Sequence, residues 1–363
     1  MEFFDLSLQY SFLKKGINEK INTVLEHGKF IQGPEVEELE INLANYVGAK
    51  YCVGVSSGTT SLEIALRALN IGPGDEVITT PFSWISTAEV INLVGAKPVF
   101  VDISLDNFNI DPVEIKKSIN KNTKAIIPVS LFGQMADLGS IMKISNEYNI
   151  PIIEDAAQSF GAKQFDRFSC NVAQISSTSF FPAKPLGCYG DGGALFTNDS
   201  KLAEKFRKIR NHGALERHHH DLVGTNGRLD TLQAAILLAK LDTFENEIEK
   251  RIEVAKVYNQ ELNNYCITPI TLDDNKHIFS QYTIRVNDRD LLQKNLIKMG
   301  VPTAIYYPKC IHLQPAFAYL GYKLSAFPNS EQASNEVLSL PIHPYLTEGE
   351  VNRVVVSVKE VLN

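Results

Sequence analysis

No Cys-x-x-Cys pair occurs in the sequence, and its five cysteines, Cys52, Cys170, Cys188, Cys266 and Cys310, are scattered and odd in number. That pattern gives neither a disulfide framework nor a zinc spacing, so the thiols are read as reduced and no metal is expected. No stretch reaches the roughly 18 consecutive apolar residues of a membrane span. The opening "MEFFDLSLQYSFLKKG" has early acidic residues and no long apolar run, so a cytoplasmic location without a membrane partner is expected. Cationic excess is also missing. A net charge of −7 argues against general binding to nucleic acid and leaves any anionic ligand to local groups. No repeat, low-complexity tract or flexible linker breaks the 363 residues, a length that suits one large α/β domain and a smaller second one.

From about residue 50, short apolar strands alternate with amphipathic helices, the pattern of a mostly parallel sheet covered on both faces. "YCVGVS" (51–56), "EVITT", "KPVFVDI", "AIIPVSLFG" and "IPIIEDAA" are near-continuous apolar runs, as strands buried on both faces are. Two further strands are expected at Ser176 to Phe181 and Gly192 to Thr197. From Asp230 to about Asn264 the composition is helical and predicts a long spine. After it, strands such as "SQYTIRV" and at least two helices predict the smaller unit. The expected division is 1–245 and 246–363.

Lys184 lies in "SFFPAKPLGCYGDGGALF", between Pro182 and Pro185 and ahead of a glycine-rich run. A lysine on a glycine-rich turn is ordinarily a solvated charge. Here the prolines restrict the backbone on both sides and the flanking strands are buried, the setting in which a lysine loses basicity and meets an aldehyde from a fixed direction. "VSSGTTSLEIAL" sets Ser56 to Thr60 between a strand and a helix start, where exposed N–H groups suit a phosphate. Serine and threonine serve equally well there as helix caps, and the residues alone leave both readings open. "IIEDAAQSFGA" ends a strand with Glu154 and Asp155 at the sheet edge where such folds bind ligands, although an acidic pair there also caps helices. Trp84, the one tryptophan, follows another strand end, either as core or as a stacking surface for a flat ring. A lysine, a carboxylate and a phosphate cradle are the parts that pyridoxal phosphate requires.

Five segments, "SSTSFFPAKPLGCYGDGGALFTND", "EDAAQSFGA", "SSGTTSLEIALRAL", "GTNGRLDTLQAAIL" and "VLSLPIHPYLT", resemble the sugar aminotransferases of the DegT/DnrJ/EryC1/StrS family, over about residues 3 to 360. The resemblance implies the aspartate aminotransferase fold and pyridoxal 5′-phosphate as cofactor. It puts Lys184 at the lysine that binds the cofactor aldehyde and Asp155 at the partner of the ring nitrogen. Gln158 falls near the ring's 3-hydroxyl, Gly58, Thr59 and Ser179 on the phosphate, and Trp84 over the ring. Asn226 and Arg228 match a loop that in this family reaches the neighbouring subunit's site, the asparagine touching phosphate, which implies a homodimer. Where many members have "HLYGQ", this chain has "SLFGQ", with Ser130 in place of histidine.

For the substrates, the resemblance implies L-glutamate as donor and a nucleotide-linked keto sugar as acceptor. The subgroup it suggests aminates C3 of UDP-2-acetamido-2-deoxy-3-oxo-D-glucuronate for bacterial surface polysaccharide; the rival acceptor is a 4-keto-6-deoxy hexose on UDP or dTDP. Arg217, His218, His219, His220 and Arg228 concentrate cations and donors that suit a carboxylate, while three consecutive histidines do not converge on one metal. Tyr307 and His312 of "IYYPKCIHLQPAF" are expected at the mouth of the site. A sugar dehydratase of the same superfamily resembles this chain too, but has histidine at the position of Lys184. A non-catalytic regulator on this fold is expected to carry a DNA-binding module, for which the chain has neither spare length nor a basic patch.

Overall fold

The computed structural model describes residues 1–216 and 218–363; Arg217 lies outside the described residues. Seven strands form one sheet: β1 (Tyr51–Val55), β2 (Glu76–Thr79), β3 (Lys97–Phe100), β4 (Thr123–Ile127), β5 (Ile153–Asp155), β6 (Ile175–Ser179) and β7 (Gly193–Thr197). Their order is β3-β2-β4-β5-β6-β7-β1, the two halves being joined by parallel bridges Ile126–Ile152 and Val129–Asp155. All pairings are parallel except those of β7, which runs against both neighbours. The strands are shorter than the apolar runs suggest. In "AIIPVSLFG" the strand stops at Ile127, because Pro128 has no N–H to give to a ladder and the chain then turns through Phe132 and Gly133, both at positive φ.

The carboxyl ends of β1, β2, β4, β5 and β6 share one edge, since these strands are parallel. Loops leaving that edge carry the residues singled out above. The expected spine is two helices, Thr231–Leu241 and Phe244–Leu262, broken where Thr243 Oγ1 donates to the Lys240 carbonyl and the Thr243 carbonyl starts the next helix. Phe244 and Ile248 of the second helix pack into the core beneath the sheet. Ala255, Tyr258 and Leu262, further along, pack into another core with Tyr282, Leu292 and Val354. That second core is built on the antiparallel pair β8 (Tyr282–Arg285) and β9 (Val337–Leu340), with the helices Arg289–Lys298 and Glu348–Leu362 against it. The last helix opens with a capping box, Thr347 and Glu350 satisfying each other's backbone N–H groups.

Candidate active site

Backbone geometry builds a cradle at the end of β1. Ser57 caps the helix Gly58–Ala68, its Oγ accepting from Thr60 N at 3.0 Å, so capping is real and occupies Ser57 and not Gly58 or Thr59. Thr59 Oγ1 lies 2.8 Å from Ser86 Oγ. Gly193 pairs with Val55 on one side and Ser179 on the other, which brings Ser179 against Gly58. A Cβ on Gly58 would stand 2.7 Å from Ser179 Cβ, and one on Gly193 2.5 Å from the Ser57 carbonyl. The close approach sets Ser179 against a helix N-terminus that has Thr59 in its first turn, groups whose chemistry suits an anion.

Asp155, at the carboxyl end of β5, is buried. Thr87 Oγ1 donates to its Oδ2 at 2.8 Å and Ala157 N to its Oδ1 at 3.2 Å. Burial raises its carboxyl above the ordinary range, with Thr87, the Ala157 N–H and the charge of Lys184 pulling the other way. Lys184 follows the end of β6 on a turn in which its own N–H donates to the Phe181 carbonyl at 2.8 Å. Burial lowers the Lys184 ammonium, and the opposing attraction of Asp155 acts through space without a hydrogen bond. The two groups are therefore near enough to feel each other's charge without being bonded. Thr87 was not singled out in the sequence; the signal was its place one turn beyond Trp84, at the start of the helix Ser86–Leu93.

Around this pair stand an amide and two rings. Gln158 is buried, accepts at Oε1 from Phe132 N at 2.8 Å and donates from Nε2 to Tyr307 Oη at 3.0 Å. Burial pushes the Tyr307 phenol up, and the charge of Asp155 adds to it. Trp84 is not core: it is 60% exposed, with its ring centroid 6.4 Å from that of Tyr307. A large exposed aromatic beside a buried carboxylate, a depressed lysine and an anion seat fits a flat, phosphate-bearing ring with a basic nitrogen and an aldehyde. Pyridoxal phosphate has those parts.

The other expected contacts are placed differently. Ser56 N donates to the Gly227 carbonyl at 2.9 Å, and Arg228 bridges to Val55, so the loop 226–228 runs beside the cradle of its own chain. Arg228 Nη2 donates to Asn226 Oδ1 at 2.7 Å and Nη1 to Asn211 Oδ1 at 3.3 Å. His218 and His219 are exposed, the latter paired with Asp221 at 3.0 Å. Among the described residues no group of His, Cys, Asp and Glu has metal-binding geometry. His312 is not at an open mouth. Its side chain is fully buried, bonded to Glu331 at 3.2 Å and set edge-on to Phe327, and burial lowers its pKa.

The DegT/DnrJ/EryC1/StrS aminotransferase family matches residues 12–359. The chain is 51% identical over 352 residues to the UDP-2-acetamido-2-deoxy-3-oxo-D-glucuronate aminotransferase of Pseudomonas aeruginosa, covering 97% of each. It is 45% identical to a pleiotropic regulatory protein of Geobacillus stearothermophilus, covering 98% of this chain and 97% of that one. The crystal structure of a DegT DnrJ EryC1 StrS aminotransferase from Brucella abortus superposes with a TM-score of 0.96 at 39% identity, over 100% of both chains. NtdA of Bacillus subtilis, described with bound cofactor PMP, superposes at 0.89 and 33% identity, over 96% of this chain and 82% of that one.

Proposed function

Because the chain belongs to the DegT/DnrJ/EryC1/StrS aminotransferase family, we propose that it transfers the amino group of L-glutamate to C3 of UDP-2-acetamido-2-deoxy-3-oxo-D-glucuronate. It is a pyridoxal-phosphate-dependent aminotransferase of nucleotide keto sugars with the aspartate aminotransferase fold. The observation that carries the residue roles is the buried Asp155 at a strand end, held by Thr87 and Ala157 and within the electrostatic reach of Lys184, with the close approach of Gly58 to Ser179 on the same sheet edge. Gly58, Thr59 and Ser179 would hold the phosphate, Asp155 the ring nitrogen, Gln158 the 3-hydroxyl side and Trp84 the ring face.

When bound, the cofactor supplies an aldehyde to carry nitrogen and a ring that accepts the electron pair left as the donor's Cα proton departs. Lys184 Nζ takes that proton and returns it on the far side of the exchange, a role for which a lysine made less basic by burial is suited. Asp155 keeps a negative charge toward the ring nitrogen, and its raised basicity favours a shared proton there. The amino group leaves glutamate, 2-oxoglutarate departs, and the second half-reaction delivers nitrogen to the sugar ketone.

Arg228, His218 and His219 would meet the sugar's carboxylate and diphosphate by charge-assisted hydrogen bonds, and Tyr307 its ring. The homodimer belongs to the same reading: Leu215 and Val223, 53% and 88% exposed, leave apolar surface beside the Asn226 loop for a second copy. Offered L-glutamate with either sugar, the enzyme is expected to aminate the 3-oxo uronate, read by mass and NMR of the product. Amination of the 4-keto-6-deoxy hexose alone would overturn the substrate and leave the aminotransferase standing.

A further inference from the structure

Ser130, where the resemblance gives many members of the family a histidine, is fully buried beside the backbone of Asp155. Its N–H donates to the Asp155 carbonyl at 3.0 Å, while Asp155 N–H donates to the Pro128 carbonyl at 2.9 Å, so residues 128–130 hold both backbone groups of Asp155. The Ser130 hydroxyl donates to Glu154 Oε1 at 3.1 Å and accepts from Ala136 N at 3.2 Å. Glu154 is itself fully buried. Its other donors are Ser169 Oγ at 2.8 Å, Cys170 N at 2.9 Å and Ser176 Oγ at 3.0 Å, and among the described residues no cation pairs with it. A carboxylate held by neutral donors alone is exposed to the full cost of losing one. Side chains alternate along a strand, so Glu154 points away from the face of Asp155 and its anchorage fixes the backbone from which Asp155 projects.

The same turn reaches a second residue. Phe132 N donates to Gln158 Oε1, which turns the amide so that Nε2 meets Tyr307. Gly133 is at φ 104°, and a Cβ there would lie 2.6 Å from Ser280 N, so the turn has one shape. We propose that Ser130 is a positioning residue: through Glu154 and the turn Ser130–Gln134 it sets the directions of Asp155 and Gln158 toward the cofactor, touching neither cofactor nor substrate itself.

The inference rests on the reading of Asp155 and Gln158 as cofactor-facing. It is tested on holoenzyme of the parent, Ser130→Ala and Ser130→Thr, with Ser145→Ala as a control, a residue in the last turn of the helix Leu138–Tyr148 whose hydroxyl donates to the Ile150 carbonyl at 2.6 Å. Ser130→Ala is expected to bind pyridoxal phosphate about tenfold more weakly, to shift the pH midpoint of its visible absorbance and to lower kcat with KM for L-glutamate unchanged. Ser130→Thr restores all three, and Ser145→Ala loses thermal stability without moving any of them. A Ser130→Ala enzyme with the parent's dissociation constant and pH midpoint overturns the inference. Should Ser130→Ala not fold, Glu154→Gln, equal in size and uncharged, decides it on the same two measurements: unchanged values overturn it, weaker binding with a shifted midpoint supports it. A parent protein that binds no pyridoxal phosphate sinks the functional reading instead.

Discussion

Lys184 and Asp155 act on each other's ionisation, and a substitution at either is felt at both. Lys184→Ala is expected to abolish turnover while the cradle still retains cofactor, and borohydride treatment of the parent should label the peptide carrying Lys184; a label on another lysine rejects the assignment. Because burial lowers the Lys184 ammonium, activity should persist to lower pH than an ordinary lysine allows and fall as pH drops through the lowered value. Removing Asp155's charge with Asp155→Asn takes away the attraction that opposes this lowering, so the acid limb should move further down; a limb that stays in place argues against the coupling. Lys184 was legible because prolines on both sides are visible in the letters alone. Thr87 was not, since its hydroxyl matters only once the fold carries it to a carboxylate 68 positions away. His312 misled for the converse reason: a histidine near a polar loop reads as exposed until Glu331 and Phe327 are seen to enclose it.

At the level of elements, the strand pattern was readable and the strand lengths were not, because an apolar run continues into turns that are buried as well. The pairing of β7 between β1 and β6 has no local signature either, yet it makes the cradle. Gly193→Ala would push a methyl to 2.5 Å from the Ser57 backbone, and should cost more than about 2 kcal/mol together with most phosphate affinity. Equilibrium unfolding and titration with cofactor check the two losses separately. Lys240, on the helix Thr231–Leu241, is 2% exposed, donates to the Gly187 carbonyl behind the Lys184 turn, and is lowered by burial to about 8. Between that value and its ordinary one the unfolded chain binds the extra proton, so the contribution of Lys240 is fully present above the ordinary lysine value and is lost as pH falls through about 8. The stability difference between the parent and Lys240→Met should therefore rise from pH 8 to 10.5 by roughly 3 kcal/mol at most. A flat difference means that the ammonium is solvated in the folded state.

For the whole molecule, an assembled site shared between two copies predicts rescue. Mixing Lys184→Ala subunits with Asn226→Ala/Arg228→Ala subunits should restore activity if the loop 226–228 serves its neighbour, because one site of each heterodimer is then intact. Heterodimers without activity would put the loop at its own chain's site, a geometry that its backbone bonds to Ser56 and Val55 also permit. Chain length, used above to argue against a regulator, does not discriminate: a relative named as a regulatory protein matches over 97% of its own length. Lys184 argues against the dehydratase, which the resemblance gives a histidine there, and turnover with a keto sugar separates an enzyme from a regulator. The order of the strands has a bearing on synthesis too. β1 is among the first strands made, but its ladder partner is β7, the last of the seven. At roughly 5–20 residues per second, a ribosome leaves β1 without its partner for on the order of ten seconds. Until residue 193, just past the middle of the 363-residue chain, has emerged, the nascent chain lacks the strand that brings Ser179 against Gly58, so the proposed phosphate seat can form only in the second half of translation.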